Sequence, residues 1–307
     1  DHAQKTTTEK PSMKRSGYIL ILIILHVCIA PSQNFYAQGV ASLKVHDTTA
    51  AITAFQNSIQ NGRERAQANY YLAAIAYNRG KMDEAATYVE ASLQANDEDA
   101  KAQQLFGDIL IAKGDVEGSL RYYRRAAKLA PNDADVSAKL GAALVRADSA
   151  DAAIVHLTRA KIAMPKNASV LGVLGDAYAK IGVKALAVQN YKDAIALSPR
   201  NISLHMKLAR LYLENRQYND AMKVFDTVEK IDSTYGKAHL EEGRLYFRAK
   251  LYQRAIEPLR KYLRLNPKSV EADSLYVRAL FNAGRYSQAA KSASASLKHD
   301  STSAELW

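Results

Sequence analysis

Eight stretches of the chain align in register at a constant step of 34 residues, without an insertion. They begin at Ser32, Ala66, Ala100, Ala134, Ala168, Ile202, Gly236 and Val270, and the last closes at Ser303. A constant step constrains the fold more than any single motif. Each copy must be one supersecondary unit stacked on a like neighbour, so apolar faces are buried between copies and not around one central core. Such an array presents a long surface for binding and rarely the convergent pocket that chemistry needs.

Within a copy, apolar residues recur at helical spacing in two runs of roughly 13 residues, which predicts two amphipathic helices. Position 8 is small in all copies but one (Gly39, Ala73, Gly107, Gly141, Gly175, Ala209, Gly243; Val277 departs), and position 20 is alanine or Ser119. Small residues there let the two helices approach closely. Position 24 is bulky in most copies, as in Phe55, Tyr123, Leu157, Tyr191, Phe225 and Leu259, and is expected to fill the gap between copies. Position 15 is the turn between the helices. Gly80, Gly114, Gly182 and Gly284 suit a left-handed backbone there; Asp148 is tolerable, while His46, Arg216 and Lys250 are costlier. Pro131, Pro165, Pro199 and Pro267 at position 32 end the second helix. Pro258 falls inside the second helix of its copy, where it is expected to remove one backbone bond and bend the helix.

Period, glycine, alanine and proline positions together resemble the tetratricopeptide repeat. The resemblance runs from Ser32 to Ser303 and implies an all-α, right-handed superhelical solenoid of antiparallel helix pairs, about eight repeats long. It implies one domain over 32–303 and a scaffold that binds protein or peptide without catalysis. Ala304 to Trp307 match the opening of a ninth copy, so the natural chain is expected to continue.

Residues 1–31 read differently. Met13, Lys14 and Arg15 precede an apolar run from Tyr18 to Ala30, with small residues suited to cleavage before Gln33. This is the pattern of a secretory signal peptide. The run of about 13 residues is shorter than the roughly 20 of a membrane-spanning helix. A retained anchor is the alternative, and the only route to a membrane. Cys28, the single cysteine, lies in this segment, so the processed chain would hold no disulfide and rely on packing. A periplasmic or secreted location follows.

Net charge is +11, unevenly spread: the copy from Ala66 carries −4 and the copy from Gly236 carries +6. The resemblance implies that positions 2, 5, 9, 12 and 13 face a concave groove. Position 9 is Arg210, Arg244 and Arg278 in three successive copies, beside Phe247 and Phe281 at position 12, Met206 at position 5 and Arg248 at position 13. A cationic ladder with apolar flanks suits carboxylate recognition, because a guanidinium donates two parallel bonds. Glu214 and Glu241 are candidates to neutralise part of it. The expected partner is an acidic peptide or protein segment. The two-carboxylate clamp of chaperone-binding relatives is not matched: positions 5 and 9 are Tyr36 and Val40, then Tyr70 and Ala74. Interleaved acids argue against nucleic acid.

No nucleophile elbow, Walker loop or zinc-protease motif occurs, and no cofactor is expected. His205, His239 and Asp273 share position 4, but a whole helix pair separates successive copies, so no metal site is expected from them. The alternative function is the sensory or docking half of a longer protein, whose further part would be a kinase, transferase or export component.

Overall fold

The computed structural model describes residues 34–299; the export segment and the start of the ninth copy lie outside the described residues. All regular structure there is α-helical, in 16 helices. They fall into two compact units, 34–113 and 114–299, divided at the turn residue Gly114.

The first unit holds α1 (Phe35–Lys44), α2 (Thr48–Gln60), α3 (Arg65–Asn78), α4 (Met82–Ala95) and α5 (Ala100–Ala112). The second holds α6 (Val116–Leu129), α7 (Ala134–Arg146), α8 (Ala150–Ala163), α9 (Ala168–Lys180), α10 (Lys184–Leu197), α11 (Ile202–Glu214) and α12 (Tyr218–Ile231). It continues with α13 (Gly236–Arg248), α14 (Tyr252–Leu265), α15 (Val270–Asn282) and α16 (Tyr286–His299). In every copy the first helix ends at position 13 and the second begins at position 17. No helix among the described residues is long and apolar enough to cross a membrane.

The turn between the helices is the same each time. Every residue at position 15 has positive φ, from 59° at Asp148 and Arg216 to 85° at Gly114. Two bonds then close the helix end, as at Lys250 N–H to Phe247 O (3.0 Å) and Leu251 N–H to Tyr246 O (2.9 Å). This paired closure satisfies carbonyls that a helix end otherwise leaves open. At the other end, Asp99, Asp133, Asn167, Asn201 and Ser269, all at position 34, cap first helices with their side chains.

Position 24 fills a place within its own copy as well as meeting the next one. A Cβ added to Gly39, Gly141, Gly175 or Gly243 would meet Phe55, Leu157, Tyr191 or Leu259 of the same copy at 2.5–2.7 Å. The bulky side chain thus lies on the small residue of its own pair. It reaches the next copy as well: Phe55 stacks on Tyr71 at 5.1 Å with planes 2° apart. Phe55 and Leu72 anchor the core of the first unit; Tyr191, Leu208 and Phe225, then Leu259 and Leu280, anchor cores in the second. Pro258 is buried in an α14 that runs without interruption from Tyr252 to Leu265.

In three copies position 4 ties the first helix to the loop before it. Gln103 donates to Asp97 O at 2.8 Å, His205 Nε2 bonds Pro199 O at 2.8 Å, and His239 Nε2 bonds Ser233 O at 3.0 Å. The accepting carbonyl is at position 32 each time. The chain turns there and has no helical partner to offer, so a buried side-chain donor supplies the bond.

Candidate functional site

The three arginines of position 9 lie on α11, α13 and α15 in three different environments. Arg210 is exposed and makes no hydrogen bond or ion pair with another described residue. It lines a cleft of about 240 Å³ with Met206, Lys207, Leu213, Tyr235 and Lys237. Arg244 is held by two carboxylates, Glu241 (2.5 Å) and Glu271 (Nε at 3.0 Å, with a second, shorter bond). Glu241 is one of the two neutralisers expected from sequence; Glu271, from the next copy, is not. Arg278 lies over Phe247, its Cζ 5.0 Å from the ring centroid. The ladder is thus one open cation, one neutralised cation and one aromatic stack.

The apolar flank is ordered by a repeated aromatic pair. Phe247 meets Tyr252 edge-on at 5.3 Å, and Phe281 meets Tyr286 at 5.2 Å, with interplanar angles of 68° and 70°. Positions 12 and 17 flank the left-handed turn, so the fixed turn geometry fixes the pair. Phe281 is 59% exposed, Arg248 is exposed and Met206 half-buried. A broader depression of about 640 Å³ adjoins the cleft through Tyr235, Lys237 and Glu241, and reaches Arg244 and Tyr262.

Beside the cleft, Asp176 accepts from the Tyr191 hydroxyl at 2.8 Å and pairs with Lys207 at 2.6 Å. Burial, then the Asp176 charge, pushes the Tyr191 hydroxyl far above the ordinary phenol range, so it remains a donor. Lys207 is thereby partly neutralised. Arg210, Lys237 and Arg248 are the cations of this face that pair with no other described residue. Unpaired cations of this kind attract anions.

A second polar cluster lies where α12, α13 and α14 meet. Glu229, His239 and Glu242 bring ligating atoms within 4.8 Å of one another. Lys261 pairs with Glu229, and the Tyr246 hydroxyl bonds Glu242. Burial, then the charges of Glu229 and Asp226, pushes the Glu242 carboxyl up to about 7. His205, His239 and Asp273 are not the group that converges. Each histidine is bonded to its own loop carbonyl, and His239 groups with glutamates at positions 28 and 7.

Paired helices on a 34-residue step define a helical-repeat scaffold of the kind used in protein–protein interaction. The chain belongs to the tetratricopeptide repeat family: models described as tetratricopeptide repeat match residues 36–100, 168–201, 185–245 and 246–307, and one described as TPR repeat matches 107–148. Comparison with curated proteins gives no match. Among solved structures the chain is similar to PilW, a type IV pilus biogenesis factor (18% identity, TM-score 0.63, 69% of this chain and 99% of that one). It is also similar to pilF of Pseudomonas aeruginosa (19%, 0.58, 70% and 98%) and to YrrB, described as having an unusual peptide-binding site (21%, 0.50, 60% and 95%). At these identities the likeness concerns the fold.

Proposed function

We propose that this protein is a non-enzymatic scaffold of the cell envelope that holds an acidic peptide segment of a partner against α11 and α13. The observation that carries the reading is the cleft at Arg210. It combines an open guanidinium and the Lys237 ammonium with apolar walls from Met206 and Leu213. A peptide carboxylate would pair with Arg210 through two bonds while a neighbouring apolar side chain fills the cleft. Phe247, Phe281, Arg248 and Arg278 extend the same face. The peptide-binding description of YrrB supports the general mode.

The neutralised state of Arg244 gives the test its discrimination. Fluorescence anisotropy with a library of acidic peptides should show affinity that weakens with salt. Arg210→Gln should weaken the best binder by about tenfold or more, while Arg244→Gln, made together with Glu241→Gln so that no carboxylate is left unpaired at the cleft, changes it by no more than about twofold. Equal losses at both positions would replace the cleft with a diffuse basic surface.

The envelope location rests on the residues from Met13 to Gln33. Mass measurement of the chain from fractionated cells is expected to give a periplasmic or secreted species beginning at Gln33. A cytoplasmic species retaining Met13 overturns it.

A further inference from the structure

We propose that Glu229, His239 and Glu242 form a binding site for a divalent transition cation of the zinc class at the junction of α12, α13 and α14. The geometry is the first argument. The three ligating atoms lie within 4.8 Å of one another. Zinc bonds to nitrogen and oxygen of roughly 2.0–2.2 Å place tetrahedral ligands about 3.4 Å apart. Closing from one spacing to the other needs shifts on the order of 1 Å, within reach of carboxylate rotamers. His239 and Glu242 are three residues apart on one helix, so their side chains share a face, and Glu229 approaches from the preceding helix.

The imidazole is the second argument. His239 is 2% exposed, and its Nε2–H is given to Ser233 O at 3.0 Å. That bond fixes the ring and occupies Nε2, so the proposed site takes Nδ1 as its ligand, with the outer-sphere bond that metal-binding histidines need. His205 makes the same bond to Pro199 O, yet no carboxylates gather with it in a ligand group among the described residues. The loop staple is therefore general, and the carboxylates are particular to this junction.

The surroundings decide the ion. Glu229, Glu242 and Asp226 contribute three carboxylates; the Lys261 ammonium faces them from α14, with the Tyr246 hydroxyl at Glu242 and Arg254 farther out near Tyr246. The three carboxyl groups outnumber the one ammonium in contact with them, and an entering cation would favour the ionised form of Glu242. A mixed nitrogen and oxygen set of three suits zinc, cobalt or nickel; calcium and magnesium require about six oxygens or more. Lys261 competes for Glu229, and its side chain is 36% exposed, so it can swing into solvent when a cation enters.

The test uses the full chain without an affinity tag, stripped of metal. Cobalt is added and its visible d–d bands are followed, and zinc is added during thermal melts. The wild type is expected to develop the bands of a low-coordinate cobalt site and to gain about 3 °C or more in zinc. Glu242→Gln, which keeps the volume, and His239→Gln should each lose both signals. Lys261→Met should tighten cobalt binding by about tenfold, because it removes the internal competitor. Absent bands and no thermal shift in the wild type overturn the site. So do variants at Glu242 or His239 that bind like wild type, or a Lys261→Met chain that binds no tighter.

Discussion

Leu259 lies directly on Gly243: a Cβ on the glycine would fall 2.6 Å from the leucine Cγ. Leu259 is fully buried, so it has no free direction in which to yield. Gly243→Ala should destabilise the chain by about 1–3 kcal/mol, the usual cost of overpacking. Urea unfolding measures it. In the Gly243→Ala background, Leu259→Ala should cost less than it does alone, because the cavity accepts the new methyl. Additive losses would show that the two residues do not share the space.

Lys250 occupies the left-handed turn between α13 and α14 with φ of 60°. A side chain there costs roughly 1–2 kcal/mol, offset in part by the lower entropy of a non-glycine unfolded chain. Lys250→Gly should therefore stabilise by up to about 1 kcal/mol. Gly284→Ala, at the equivalent turn, should destabilise by a similar amount. A melt comparison of the two checks the sign.

Much of this architecture is legible in sequence because a repeat reports each requirement several times. Helix limits, left-handed turns and the small position 8 follow from glycine, alanine and proline recurring in register. The capping role of Asp99, Asp133, Asn167, Asn201 and Ser269 was equally readable, since each is a short polar residue one place before a helical run. Spacing along the chain places position 24 at the gap between copies, which Phe55 meets through Tyr71, but it does not show that the same side chain also covers the small residue of its own pair. The site is less legible for a related reason. Arg210, Arg244 and Arg278 are identical in register, and their difference arises from residues elsewhere. Glu271 reaches Arg244 from the following copy, and Phe247 comes to lie beneath Arg278. The grouping of Glu229 with His239 joins two positions that no within-copy pattern connects.

The Glu242 carboxyl, pushed up to about 7 from an ordinary 4.5, links stability to pH. The folded chain keeps a proton that the unfolded chain releases above about pH 4.5. Stability from this group is therefore complete at low pH and declines as pH rises towards 7. In the presence of a chelator, Glu242→Gln should raise the melting temperature at pH 8 and change it little at pH 4.5. The gain is at most about 3 kcal/mol. A gain that does not depend on pH would assign the effect to packing.

His205 is 6% exposed and satisfies the Pro199 carbonyl. His205→Leu should cost about 1–3 kcal/mol, the penalty of a buried acceptor left without a donor. His205→Gln should recover most of it, because Gln103 makes the equivalent bond to Asp97 O. Chemical denaturation of both variants reads the difference. Equal losses would mean that ring volume, and not the bond, matters at position 4.

The bonds from Lys180 to Asp148, from Lys207 to Asp176 and from Lys261 to Glu229 each reach only the adjacent copy. In mechanical terms these junctions are springs in series, and tension along the chain loads all of them equally. Extension in a force experiment should therefore proceed in discrete steps, with the softest junction yielding first. Ligands seated at a junction would stiffen that link alone and reorder the sequence of rupture.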